Sequence, residues 1–114
     1  MADRIVYKIL TSAEHEIFER TGSFSGSPAD LADGFIHFST GAQVPATLDR
    51  HFSGQSDLML LAVDCGLLDP AAMRWEPARG GQLFPHLYAV LPWGAVVAVC
   101  PVTRDANGQV QLPV

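Results

Sequence analysis

The chain has 114 residues, 48% of them hydrophobic and 17% charged, with a net charge of −5 from seven Lys and Arg against twelve Asp and Glu. That is one domain's worth of chain, with enough apolar material for a core without a metal or disulfide staple, and it excludes disorder along most of its length. The basic residues are scattered without a run, which excludes an electrostatic footprint for extended nucleic acid; a small phosphorylated ligand stays open, because one or two charges or a helix N-terminus can hold it.

Residues 5–10 read as a first strand. Ile5, Tyr7 and Ile9 alternate with Val6, Lys8 and Leu10, so both faces are largely apolar and one carries a lysine. Thr11 and Glu14 form a capping-box pair that starts a helix; Ala13, Ile17 and Phe18 give it an apolar stripe, and Gly22 ends it. Ser27 at the N-cap and Pro28 at N1 open a second helix, which Asp33-Gly34 stops after about two turns. Residues 35–39 form a strand by composition. Thr40 and Gln43 repeat the capping box, and Val44, Leu48 and Phe52 lie four apart on one helical face, with Pro45 admissible only in the first turn.

Residues 58–63 are a wholly apolar run, the signature of a central strand covered on both faces. Residues 73–76 make a weaker strand closed by Pro77, and 79–82 a loop. Residues 83–90 and 95–102 read as two more strands joined across Pro92-Trp93-Gly94. Asn107-Gly108 is a hairpin turn that returns residues 109–112 as an edge strand. Helices gather in the first half and strands in the second, which predicts an α+β fold in a single domain over 1–114.

No apolar run approaches the ~20 residues of a membrane span. The opening Met-Ala-Asp-Arg lacks the apolar stretch of a signal peptide. The expectation is a cytoplasmic protein in which Cys65 and Cys100 are buried, reduced thiols.

Three stretches carry the residues of chemical interest. In Phe35-Ile36-His37-Phe38-Ser39-Thr40, burial of Ile36 and Phe38 would set Phe35, His37 and Ser39 on the opposite face. Thr40 follows at a strand-to-helix junction with outward N–H groups. An imidazole, hydroxyls and a helix start are groups that hold a phosphate or ribose; the alternative is a structural histidine and a mere cap. In Leu83-Phe84-Pro85-His86-Leu87-Tyr88, His86 and Tyr88 share a face walled by Phe84, suited to a polar ligand or to proton transfer; the alternative is a tyrosine that only bonds backbone and a surface histidine. In Trp75-Glu76-Pro77, a carboxylate beside an indole suits a general base, or is an exposed strand-end acid. His15 and His51 read as solvated.

Taken together, Gly34-Phe35-Ile36-His37-Phe38-Ser39-Thr40, Trp75-Glu76-Pro77 and Leu83-Phe84-Pro85-His86-Leu87-Tyr88 resemble a small bacterial family known as domain of unknown function 952. The opening Ile5-Val6-Tyr7-Lys8-Ile9-Leu10-Thr11 and the run 57–64 match its pattern too, so the resemblance spans about residues 5–101. That family in turn resembles the ADP-ribosyltransferase fold. The resemblance implies a split, mixed β-sheet with two or three short helices in the N-terminal half and a cleft that holds NAD in active relatives. Lys8 stands at the first-strand position, where relatives carry His or Arg. His37, Ser39 and Thr40 stand at the second motif, and Glu76 and His86 both compete for the third.

The resulting expectation is a small-molecule site for a nucleotide-type ligand such as NAD or ADP-ribose. His37, Glu76 and His86 would be its acid–base groups, with Lys8, Ser39, Thr40, Trp75 and Tyr88 as ligand contacts. If the protein is an enzyme, it would act on NAD or a phosphorylated nucleoside. One alternative is a ligand or protein interaction module that keeps the fold without chemistry. The other is a zinc site from His37, His86 and Glu76, three ligands of the right type. The two histidines are expected in one cleft, with side chains within roughly 10 Å, because each sits in a strand beside hydroxyl residues on the same face.

Overall fold

A computed structural model describes residues 4–113. The apolar run becomes β4 (Leu58–Asp64), the centre of a three-stranded antiparallel sheet between β1 (Ile5–Thr11) and β8 (Val96–Pro101). Its alternation sorts the core into two. Leu61 and Val63 face a cluster with Val6, Leu10 and Phe18, while Leu58, Leu60 and Ala62 face a second with Tyr7, Ile9, Val44 and Leu48. Helix α1 (Ser12–Thr21) covers the first cluster with Phe18, and α3 (Val44–His51) covers the second with Val44 and Leu48. Ile17 departs from the expected stripe: it is exposed, and Phe18 alone anchors α1.

The helix signals hold. Thr11 and Glu14 close a capping box on α1, and Ser27 and Asp30 close another on α2 (Pro28–Asp33), with Gly22 and Gly34 in left-handed conformation at the respective ends. Thr40 and Gln43 also close a box, but on a 3₁₀ turn, Gly41–Gln43, that precedes α3. The turn is what places Pro45 in the first turn of α3, where its missing N–H costs nothing.

A second sheet runs β3 (Ile36–His37), β6 (Leu83–Leu87), β5 (Met73–Pro77). The strand expected over 35–39 is shorter because the chain changes partner: Ile36 and His37 pair with β6, then Ser39 pairs with Tyr7 of β1 through two backbone bonds of 2.8 and 2.9 Å. That bridge links the two sheets. The strand expected over 83–90 likewise ends at Leu87, and the chain resumes at β7 (Leu91–Pro92), paired with β2 (Ser23–Phe24), a short strand with no signal of its own in the sequence. After Asn107-Gly108 there is only an isolated bridge, Arg104 to Val110, instead of an edge strand.

The fold is α+β with three short helices in the N-terminal half. Every strand ladder among the described residues is antiparallel, which corrects the expected mixed sheet. Cys65 and Cys100 form no disulfide and are half-buried rather than buried. No helix among the described residues is long and apolar enough to cross a membrane.

Candidate functional site

The register of β3 on β6 sets His37 directly opposite His86. Ile36, Phe38, Pro85 and Leu87 pack on one face, so His37 and His86 share the other, where His37 is half-exposed and His86, covered by Phe35, is only 5% exposed. The imidazole centroids lie 5.5 Å apart, edge to face. Phe35 sits against both, stacked on His86 at 4.0 Å and tilted to His37 at 4.6 Å, and reaches Tyr88 at 5.2 Å. Four rings thus form one continuous patch.

Glu76 enters from β5, on the same face as Arg74. Its Oε1 lies 2.9 Å from His86 Nδ1 and accepts a 2.7 Å bond from the Tyr88 hydroxyl. The Tyr88 and His86 hydrogen bonds hold the Glu76 carboxyl below its ordinary pKa, and the same bond to Glu76 raises that of Tyr88. The Arg74 guanidinium lies over the Tyr88 ring at 5.0 Å. In the neutral ring, Nδ1 of His86 donating to the carboxylate would leave the lone pair on Nε2, which has no partner among the described residues.

His37 is held differently. Nδ1 lies 2.6 Å from Asp30 Oδ1 and Nε2 2.9 Å from Asp33 Oδ2. Carboxylate oxygens only accept, so both contacts hold at once when both ring nitrogens carry a proton. Asp30 is buried, and it also accepts from the backbone N–H of Ser27 and of His37 and from Lys8 Nζ at 2.9 Å. Burial alone would raise its pKa, but the His37 bond and the Lys8 charge outweigh that and hold the carboxyl well below the usual carboxylate range. Burial lowers the pKa of Lys8, against the pull of Asp30.

The structure therefore brings His37, His86, Glu76 and Tyr88 together. Lys8 reaches the group only from beneath: it is 5% exposed and spends its ammonium on Asp30 and on the His37 carbonyl, 3.0 Å away. Ser39 has left the patch, because the chain has crossed to β1; its hydroxyl pairs with Thr47 of α3 at 3.0 Å. The Thr40 hydroxyl caps Gln43, whose side chain returns to the Thr40 N–H. Trp75 lies on the face of β5 opposite Glu76, packed with Met73 against the core. Among the described residues no group of three or more His, Cys, Asp and Glu is placed to hold a metal ion. The zinc arrangement is not assembled, since the ring nitrogens of His37 and the Nδ1 of His86 already face carboxylates. The patch is also an open face more than an enclosed cleft: a cavity of about 270 Å³ beside it has Asp30 and Phe35 in its wall, and neither it nor a second one, at Leu48 and Phe52, is lined by His37, His86, Glu76 or Tyr88.

Sequence reasoning singles out neither Asp30 nor Asp33. The signal for Asp30 exists, because Ser27-Pro28-Ala29-Asp30 has the spacing of a capping box. Its second task, bonding a ring seven residues on, depends on α2 folding back over β3.

The chain is an antiparallel α+β protein with a histidine–carboxylate patch where a short strand bridges two sheets. It belongs to the family described as protein of unknown function (DUF952), whose profile matches residues 9–99. It is similar to the crystal structure of protein CC0527 from Caulobacter crescentus, with 44% identity over 94% of this chain and 93% of that one and a TM-score of 0.84. The solution NMR structure of CC0527 is similar as well, with 44% identity over 95% of this chain and 91% of that one and a TM-score of 0.79. No curated protein matches the chain.

Proposed function

We propose that the protein binds a nucleotide-type small molecule, with NAD and ADP-ribose the first candidates, on the face formed by Phe35, His37, His86, Tyr88 and Glu76. The observation that carries this reading is the contiguous four-ring patch with a half-exposed carboxylate at its edge. Aromatic faces offer stacking to a planar base or pyridine ring. Glu76 uses Oε1 for His86 and Tyr88, and its Oε2, without a partner among the described residues, suits a ribose hydroxyl. His37 Nε2, when protonated, would donate to a phosphate or hydroxyl oxygen that displaces the exposed Asp33 carboxylate. If the bound molecule reacts, His37 and His86 would be its acid–base pair, with Glu76 orienting His86 through Nδ1.

Calorimetric titration with NAD, ADP-ribose and nucleoside phosphates tests this. His37→Ala is expected to weaken binding by about tenfold or more, the loss of one charge-assisted hydrogen bond of roughly 1.5–3 kcal/mol. Absence of binding by the wild type at millimolar ligand would overturn the reading and favour an interaction module. The exposed Leu31, Val90 and Tyr88 around the patch would then be its contact surface.

A further inference from the structure

Among the described residues the two three-stranded sheets meet at one backbone bridge, Tyr7 to Ser39, and beside that bridge β1 and β3 share no ladder. The gap is filled by side chains. Lys8 Nζ donates to the His37 carbonyl at 3.0 Å, a bond that stands in for a missing ladder rung, and to both oxygens of Asp30 at 2.9 and 3.1 Å. Asp30 in turn holds His37 twice, at the backbone N–H (3.1 Å) and at Nδ1 (2.6 Å). Lys8 and Asp30 side chains are 6% and 2% exposed, whereas the His37 ring is 36% exposed. Two buried charges thus hold His37 from below, Asp30 at the ring and the backbone N–H and Lys8 at the carbonyl and at Asp30 itself.

We propose that Asp30 and Lys8 act as a positioning pair: they fix the ring of His37, with Nδ1 turned inward onto Asp30 and Nε2 turned outward, where it faces Asp33 Oδ2 at 2.9 Å and would hydrogen-bond an oxygen of the bound molecule in its place. The inference rests on the nucleotide reading for the identity of that oxygen, but not for the positioning. A helix cap alone needs one oxygen of Asp30, the Oδ2 that accepts from Ser27 N–H. The other oxygen makes both His37 bonds. An orienting carboxylate behind a histidine is the arrangement that sets which nitrogen faces a ligand.

Nitrogen-correlated NMR of the His37 ring reads the positioning directly. In the wild type we expect a slowly exchanging Nδ1–H proton; a freely exchanging one would overturn the proposal with no variant needed. Lys8→Met/Asp30→Ala removes both buried charges together, so no uncompensated charge remains to unfold the chain. It is expected to lose the protected Nδ1–H signal and about tenfold in affinity for ADP-ribose, the equivalent of one good hydrogen bond. Ser27→Ala breaks the other half of the cap and is expected to keep both. If Ser27→Ala reproduces the losses, Asp30 serves only α2 and the proposal is wrong. If the wild type binds no ADP-ribose but the Nδ1–H is protected in it and lost in the double variant, the nucleotide reading fails and the positioning stands.

Discussion

Lys8→Met is the sharpest test of how the two sheets are joined. The substitution keeps most of the buried volume and removes the ammonium that faces both oxygens of Asp30. Asp30, 2% exposed, then keeps three N–H donors, from Ser27, from the His37 backbone and from the His37 ring, but loses its buried counter-charge. Breaking a buried pair from one side costs about 3–5 kcal/mol, because the remaining charge stays desolvated. The three surviving donors place Lys8→Met at the low end, about 3 kcal/mol on that scale. Urea denaturation at neutral pH measures it as a drop in midpoint at constant slope. Lys8→Met/Asp30→Asn should recover part of the loss, since no charge is left stranded. A single variant within about 0.5 kcal/mol of wild type, the range of an ordinary surface change, would show that Lys8 and Asp30 are not coupled as described. So would a double variant no more stable than the single.

Three further outcomes follow from the same geometry. Leu61→Ala should cost about 2–5 kcal/mol by denaturation, the range for a fully buried leucine, since Leu61 is 0% exposed in the central strand. Tyr88→Phe removes the first of the bonds that hold the Glu76 carboxyl low, so an NMR titration should show its pKa moving up toward the ordinary glutamate value. Asp30 has a folded pKa depressed below its unfolded one, so its stabilisation is complete above the unfolded value near ~4 and is lost as pH falls further toward the folded value. Acid denaturation of Asp30→Asn should therefore be shallower than that of wild type over that interval.

The local grammar of the chain is legible in its sequence. Capping boxes at Thr11, Ser27 and Thr40, the stops at Gly22 and Gly34, and the central strand at 58–64 all depend on neighbours within four residues or on a pure apolar run. The pairing of His37 with His86 is within reach because each sits in an alternating strand motif. What escapes depends on distant partners. The switch of residues 36–39 from β6 to β1 carries Ser39 away from His37, although alternation alone keeps them on one face. Trp75 and Glu76 are adjacent in sequence and for that reason lie on opposite faces of β5, so the tryptophan cannot accompany the carboxylate. Lys8 reads in the sequence as a ligand contact, but only the fold shows that Asp30 and the His37 carbonyl take its ammonium.

A last prediction follows from the glycine beside that buried pair. Gly22 and Gly26 both have positive φ, at 83° and 131°. At Gly22 an added Cβ would meet nothing within 4 Å, so Gly22→Ala pays only for a left-handed backbone, about 1–2 kcal/mol. At Gly26 the φ lies in a region that is essentially glycine-only, costing about 1–3 kcal/mol by itself. There the new Cβ would also stand 2.8 Å from the Cβ of Asp30, closer than real contacts allow. Asp30 cannot yield without lengthening its bonds to Lys8 and His37, because its carboxylate is held from three elements at once. Gly26→Ala should therefore lose more stability than Gly22→Ala and should also release the His37 ring, seen as loss of Nδ1–H protection at temperatures where the variant is folded. Gly22→Ala should leave that proton protected. Equal losses in the two variants, with His37 unchanged in both, would show that the packing of Gly26 against Asp30 does not control the ring, and that only backbone strain distinguishes the two positions from ordinary loop residues.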